Sequence, residues 1–129
     1  MARKKPKKTA QKQKKHIPEG IIYVNASFNN TMITITDRMG NVAAWSTPAR
    51  NGFKHSKRGT PYAAQVAAKD VALMAIEFGM REVDILVRGP GQARETALRE
   101  LSNHFKVLSI TDKTPVPHNG CRPPKKRRV

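Results

Sequence analysis

The positive charge of this chain is concentrated in its two ends, and this restricts which residues can form a folded core. Residues 1–16 carry eight Lys or Arg and residues 113–129 carry six, and neither segment contains a carboxylate. All nine Asp and Glu lie within residues 17–112, where eleven Lys and Arg nearly balance them. Like charges repel, and the ends hold too few apolar residues to offset the entropy lost on ordering. We therefore predict a basic N-terminal arm over 1–16, one globular domain over 17–112 and a basic C-terminal tail over 113–129.

Two acid-free ends on a nearly neutral body indicate a polyanionic partner, and nucleic acid is the polyanion we expect. The N-terminal sequence does not fit a secretory signal, and no run approaches the roughly 20 apolar residues of a membrane span. The single cysteine, Cys121, excludes an internal disulfide and fits a reducing compartment. We expect a cytosolic or nuclear protein that does not contact a membrane.

Hydrophobic periodicity predicts five strands and two helices in the order βββαβαβ. The first strand places Ile22, Val24, Ala26 and Phe28 on one face, and Asn29-Asn30 then forms a two-residue hairpin turn. The expected strands are 21–28, 31–36, 42–46, 83–87 and 107–111, and the expected helices are 60–78 and 92–104. Strands connected through helices should be parallel with right-handed crossovers. The fold class is therefore α/β, a mixed five-stranded sheet with two packed helices, similar to ribonuclease H-like topology.

One glycine-bounded segment combines an aromatic ring with four cations: Arg50, Phe53, Lys54, Lys57 and Arg58. RNA-binding surfaces use cations for phosphates and ring or guanidinium planes for unpaired bases. A solvated basic loop is the alternative explanation. The presence of two basic arms on the same chain favours RNA contact.

Three further segments are candidate RNA contacts. Arg88 begins a strand-to-helix turn where free amides and the helix dipole attract anions, although the turn lacks the ending of a P-loop. Asn29 and Asn30 lie at the predicted hairpin tip, where turn geometry explains them equally well. The tail carries a proline-stiffened basic run that also resembles a short nuclear-import signal. Its candidate contacts are Arg122, Lys125, Lys126, Arg127 and Arg128.

The residues indicate no enzymatic site. A ribonuclease-type mechanism with two metal ions needs a carboxylate on the first strand and others nearby, and residues 21–28 contain none. His104, His118 and Cys121 lack paired ligand spacing, and no nucleophile motif is present. We predict no catalytic residue, metal, cofactor or small-molecule substrate.

Two Asn-Gly pairs are chemically vulnerable, because glycine lets the following backbone nitrogen reach the asparagine side chain and form a succinimide. These pairs are Asn51-Gly52 and Asn119-Gly120. Asn119 lies in the tail, where flexible backbone favours the reaction. We predict partial isoaspartate at Asn119.

From about Ile17 to the C-terminus the sequence resembles a known family, the eleventh protein of the bacterial small ribosomal subunit. The most specific match is the run from Ile110 to Arg122, Ile-Thr-Asp-Lys-Thr-Pro-Val-Pro-His-Asn-Gly-Cys-Arg. The other matching segments are residues 25–31, 52–54, 60–64, 87–91 and Arg94-Glu95, none of which departs from the family pattern. Residues 1–16 are where members differ most, so no family role is assigned to them.

The resemblance implies a structural, non-catalytic RNA-binding protein with sheet order 3-2-1-4-5. It implies binding to small-subunit rRNA in the platform, beside neighbouring platform proteins and close to the mRNA exit and the Shine–Dalgarno cleft, in the cytoplasm. Two other hypotheses remain: a nuclear or nucleoid DNA-binding protein, and a ribonuclease-type enzyme. No helix is basic along one face as a major-groove reader should be, which counts against the first of these.

Overall fold

The computed structural model describes residues 16–129, so the predicted N-terminal arm lies outside the described residues except for His16. The elements follow the predicted order βββαβαβ. The strands are β1 (Glu19–Ala26), β2 (Thr31–Thr36), β3 (Val42–Ser46), β4 (Glu82–Arg88) and β5 (Lys106–Asp112), and the helices are α1 (Pro61–Glu77) and α2 (Arg94–His104).

The five strands form one mixed sheet in the order β3-β2-β1-β4-β5, which confirms the predicted fold class and the strand order. β1 pairs antiparallel with β2 and parallel with β4, so Val24 lies opposite Ile33 on one side and Val87 on the other. β2 and β3 are antiparallel, and β4 and β5 are parallel. Consequently β1, β3, β4 and β5 all run in the same direction.

Both helices pack on one face of the sheet. That face carries the buried side chains of alternate strand residues, including Ile22, Ile35 and Ile85. The helices meet it, and each other, through small and aliphatic residues. The inward side of α1 is formed by small and branched residues that are buried, among them Ala64, Ala67, Ala68, Val71 and Ala75. Because strand side chains alternate between faces, the opposite face presents Tyr23, Met32 and Trp45 to solvent.

The turn between β1 and β2 differs from its prediction. The sequence predicts Phe28 on the same strand face as Ile22, Val24 and Ala26, but β1 ends at Ala26 and Phe28 is 71% exposed. The Ser27 amide donates to the Asn30 carbonyl at 2.8 Å, so the two central turn residues are Phe28 and Asn29, not Asn29 and Asn30. Positive φ at asparagine is not what makes this turn. The Ser27 hydroxyl instead closes it by hydrogen bonding to both backbone polar groups of Asn30, 3.1 Å each.

The ends of α1 follow the sequence signals. The Thr60 hydroxyl accepts from the Ala63 amide at 3.3 Å, which caps the helix ahead of Pro61. Gly79 follows the helix with a φ of +74°, where glycine has no steric penalty. The helix α2 begins at Arg94, two residues later than predicted, because the Arg94 amide bonds to the Gly91 carbonyl in a preceding turn.

Candidate nucleic-acid interface

All four segments predicted to contact RNA leave the sheet at the same end. Because β1, β3, β4 and β5 are co-directional, their carboxyl ends lie along one edge. The segments that follow these strands are residues 27–30, 47–60, 89–93 and 113–129. We call this edge, with its four segments, the loop end. The fold therefore brings together residues that are up to about a hundred positions apart in the sequence.

Glycines hold the segments of the loop end in close contact. The Gly91 amide donates to the Ala26 carbonyl at 2.9 Å, which ties the β4–α2 loop to the end of β1. A Cβ at Gly91 would lie 2.5 Å from the Ser27 carbonyl oxygen, and one at Gly59 would lie 2.6 Å from that of Phe28. Both approaches are to backbone, which cannot move aside as a flexible side chain does. The glycines are therefore required for the β1–β2 turn to fit between the two neighbouring loops.

The first residues of the tail are fastened to the β4–α2 loop. The Lys113 amide donates to the Val87 carbonyl at 2.8 Å, and the Gly89 amide donates to the Thr114 hydroxyl at 3.1 Å. Asp112 accepts from the hydroxyl and amide of Thr114, at 2.6 and 2.9 Å, and from the Arg94 guanidinium at 2.8 Å. The tail therefore starts from a fixed point beside Arg88.

The Thr114 hydroxyl, followed by Arg94, holds the pKa of Asp112 well below its usual range. A carboxyl group whose folded-state pKa is lowered keeps its charge above the ordinary value and loses its contribution only as the pH falls through the lowered one. The contacts of Asp112 with Thr114 and Arg94 are therefore expected to persist at neutral and mildly acidic pH.

Arg50, one of the predicted RNA contacts, is engaged within the protein. Its guanidinium lies 5.0 Å from the centroid of the Trp45 ring and donates to the Trp45 carbonyl at 3.1 Å. Its Nε lies 3.9 Å from a carboxylate oxygen of Asp70, which also accepts from the Ser46 hydroxyl at 2.8 Å. Arg50 thus joins β3 to α1, and any phosphate it meets competes with Asp70.

The other predicted residues of this segment are divided between structural contacts and free surface. The Phe53 ring is half-buried edge-on against Tyr62, with 5.8 Å between the centroids. Arg58 donates to the His55 carbonyl at 3.1 Å, which closes a short 3₁₀ helix. Lys54 and Lys57 are exposed.

Arg88 is exposed at the end of β4, and the tail cations Arg122, Lys125, Lys126, Arg127 and Arg128 are exposed as well. Within residues 16–129, none of these six cations, nor Lys54 or Lys57, lies within ion-pair distance of a carboxylate. Asn29 is exposed at the turn, whereas the side-chain oxygen of Asn30 accepts from the Thr31 amide at 2.9 Å. The loop end therefore presents a set of unpaired positive charges.

Besides Phe28, sequence reasoning missed three aromatic side chains that the structure exposes. Tyr62 is 66% exposed beside Phe53, so it presents more ring surface than the residue that was predicted. Tyr23 and Trp45 lie on the face of the sheet that neither helix covers, which we call the open face. The sequence contained a signal for both, because each alternates with apolar residues along its strand. That alternation predicts exposure only when helices cover one face of the sheet and leave the other open.

In residues 16–129 no group of three or more His, Cys, Asp or Glu side chains is placed to hold a metal ion. Over the same range no helix combines the length and the apolar character needed to cross a bilayer.

Comparison with known proteins assigns the chain to a family. The model of the family described as Ribosomal protein S11 matches residues 20–128. The small ribosomal subunit protein uS11 of Chromohalobacter salexigens is 54% identical over 125 residues, which cover 96% of this chain and 98% of the relative. The same-named protein of Colwellia psychrerythraea is 50% identical over 127 residues, 98% of each. The chain therefore belongs to the ribosomal protein S11 family, a family of structural small-subunit proteins and not of enzymes, as the sequence predicted.

Proposed function

We propose that this chain binds small-subunit rRNA through its loop end, in the platform near the mRNA exit and the Shine–Dalgarno cleft. It would act in the cytoplasm beside neighbouring platform proteins, supporting both assembly of the subunit and translation. The observation that carries the proposal is the convergence of four segments and their unpaired cations on one edge of the sheet. A surface that neutralises many phosphates at once is what a structural rRNA-binding protein needs.

In this mechanism the arms provide affinity and the folded domain provides positioning. The arms at 1–16 and 113–129 supply most of the affinity by releasing counterions from phosphates. The folded domain over 17–112 fixes the position of the protein through Lys54, Lys57, Arg58 and Arg88. If about 8 phosphates are neutralised, the slope of log affinity against log salt should be about −6 to −7.

The native cysteine supplies a direct test of the location. Cys121 is free and exposed in the tail, so it can carry a tethered iron chelate that cleaves nearby RNA with hydroxyl radicals. In reconstituted small subunits, we expect cleavage of rRNA that forms the platform near the mRNA exit. Cleavage confined to another part of the subunit would overturn the proposed location.

A matched control places the same probe at the other end of the sheet. Met39 is 91% exposed in the β2–β3 turn, so Met39→Cys combined with Cys121→Ser moves the probe without disturbing the core. We expect weaker and different rRNA cleavage from that position. Equal cleavage from both positions would contradict an RNA-facing loop end.

Sedimentation distinguishes ribosomal binding from general binding to polyanions. We expect the protein to remain in the small-subunit peak of a cell-extract gradient through a moderate salt wash. Release to the top of the gradient, or binding to duplex DNA as tight as to structured RNA, would support the DNA-binding alternative instead.

A further inference from the structure

We propose that the open face of the sheet binds one unpaired nucleotide of RNA, in a depression between the ends of β1 and β4. This inference rests on the proposed rRNA-binding function and specifies a ligand for the open face of the sheet, where Arg88 is the one lining residue already among the predicted contacts. Tyr23 lies in register with Leu86, and Asn25 lies in register with Arg88. Neither helix covers this face, so the four side chains form a two-by-two block directed to solvent.

The dimensions of the block suit a single base. Neighbouring strands lie about 4.8 Å apart, and residues two positions apart on a strand lie about 6.6 Å apart. The depression has a volume of about 190 Å³ and is lined by these four residues, by Val24 and Val87 between them, and by Lys113, the first residue of the tail. Lys113 is held at the rim of the depression because its backbone amide donates to the Val87 carbonyl. A shallow depression of this size admits a base turned out of its stack but not a stacked base pair.

The chemistry of the lining matches the parts of a nucleotide. Tyr23 and Leu86 provide an aromatic and aliphatic floor for the face of a base. The Asn25 amide carries both a donor and an acceptor for a base edge. Arg88 and Lys113 provide two positive charges for the attached phosphates, and none of the described residues that line the depression carries a carboxylate.

A carboxylate does lie near the depression, but its charge is compensated. Asp84 precedes Leu86 by two residues and shares the open face. Its Oδ2 accepts from the Arg38 guanidinium at 3.2 Å, and its Oδ1 accepts from the Ser109 hydroxyl at 2.9 Å. The charge at the depression is therefore set by Arg88 and Lys113, which favours a phosphate-bearing ligand over an uncharged peptide segment.

Photocrosslinking identifies the occupant. Tyr23 is 39% exposed, so a benzophenone amino acid at position 23 of the full chain can be incorporated into small subunits without removing a core residue. We expect a crosslink to one or two unpaired rRNA nucleotides. Subunit incorporation with a crosslink to a ribosomal protein, to base-paired RNA or to nothing would overturn this inference while leaving the proposed function intact. Absence of the protein from the subunit peak would instead overturn the proposed function.

Base-specific chemical probing of subunits tests the same site without a crosslinker. Since one aromatic–base stack contributes about an order of magnitude in affinity, Tyr23→Ala should raise the reactivity of the bound nucleotide by about 10-fold. Tyr23→Phe keeps the ring and should leave the reactivity unchanged. Met32→Ala removes an apolar side chain from the same open face outside the depression and serves as the matched control.

Arg88→Gln gives an independent variant, because it removes a phosphate contact without altering the floor of the depression. We expect the same nucleotide to become more reactive, with thermal unfolding equal to that of the unmodified protein. Unchanged reactivity in both Tyr23→Ala and Arg88→Gln subunits would rule out a nucleotide in the depression.

Discussion

The two ends of the sheet carry similar charged residues but use them in opposite ways. At the end away from the loops, which we call the turn end, Arg38 lies 2.9 Å from Glu19 and 3.2 Å from Asp84. Lys106 lies 3.9 Å from Glu82 at the same end. At the loop end the exposed cations have no carboxylate within that distance, in the part of the chain that the structure describes, apart from Arg50 and Arg94. The near-neutral charge of residues 17–112 is therefore an average over two electrically different surfaces.

Because of this difference, the charges of the two ends should contribute differently to folding stability and to RNA binding. Exposed ion pairs contribute only about 0–1 kcal/mol each, so the pairs of the turn end matter mainly because they neutralise its charges. The cations of the loop end repel one another in the free protein, and a polyanion relieves that repulsion when it binds. Substitutions that remove charges at the turn end should therefore affect folding slightly and RNA binding very little. Substitutions that remove charges at the loop end should weaken RNA binding and leave folding stability almost unchanged.

The largest effect is expected from truncation of the tail. Ending the chain after Thr114 removes five cations but keeps the hydrogen bonds of Lys113 and Thr114 to the folded domain. The salt slope of RNA affinity should become shallower by about 4, and the protein should leave the small subunit in a moderate salt wash. Arg38→Ala, at the turn end, is the matched control and should be retained. If the truncated protein and Arg38→Ala were released from the small subunit to the same extent, the tail would have no special role in RNA binding.

A substitution at one glycine should disrupt the packing of the loop end. Gly89 has a φ of +102°, and a Cβ there would collide with the Ala26 carbonyl oxygen. Gly89→Ala should lower the free energy of unfolding by about 2–3 kcal/mol and weaken RNA binding, because it separates the β4–α2 loop from β1.

The matched control for Gly89 is at the turn end. Gly40 has a similar φ of +93°, but no atom of residues 16–129 lies within 4 Å of its hypothetical Cβ. Gly40→Ala should therefore incur only the backbone strain, about 1–2 kcal/mol, with RNA binding unchanged. Urea unfolding and filter binding measure the two effects. Equal losses of stability would mean that the contact with Ala26 is not important.

A smaller effect is expected from the cations of the 47–60 segment. Replacing Lys54, Lys57 and Arg58 with Gln should make the salt slope shallower by about 2–3. Arg58 also bonds to the His55 carbonyl, so the double variant Lys54→Gln/Lys57→Gln separates charge from loop structure. A double variant with an unchanged slope would place this segment away from RNA.

The fold could be predicted largely because its signals are local. Alternation along the strands, the Thr60-Pro61 start and the Gly79 end each depend on neighbouring residues, and the strand order implied by the family resemblance was confirmed as well. The prediction of the β1–β2 turn failed because the Ser27 hydroxyl, bonded to the backbone amide and carbonyl of Asn30, closes the turn one residue earlier than backbone preference indicated.

The candidate site was only partly predictable, for a different reason. Which charges are paired depends on contacts between residues distant in sequence, such as Arg38 with Asp84 or Arg50 with Asp70, and no local pattern contains them. The exposure of Tyr23 depends in the same way on both helices packing on one face. Composition located the basic segments, but the fold decides which of their side chains are free.

The smallest predicted effect is a difference in isoaspartate formation between two asparagines, Asn51 and Asn119, rather than between the two ends of the sheet. Isoaspartate forms when the glycine nitrogen attacks the asparagine side-chain carbon, ammonia leaves, and water opens the succinimide ring. Asn51 is protected, because its side-chain nitrogen donates to Ser46 at 3.1 Å and to the Thr47 carbonyl at 3.0 Å, and the Gly52 amide is bonded to Ala49. Asn119 is exposed in the tail with a φ of +61°.

We therefore predict that aged protein accumulates isoaspartate at Asn119 and not at Asn51, as measured by peptide mapping with enzymatic methylation of isoaspartyl groups. Ser46→Ala removes one of the hydrogen-bond acceptors of Asn51 and should raise its reactivity towards that of Asn119. Each conversion adds one negative charge, and at Asn119 that charge lies beside the basic run, so RNA affinity should fall by about the contribution of one phosphate contact. Aged protein with Asn119 intact, or with both asparagines converted equally, would show that the hydrogen bonds of Asn51 do not control the reaction.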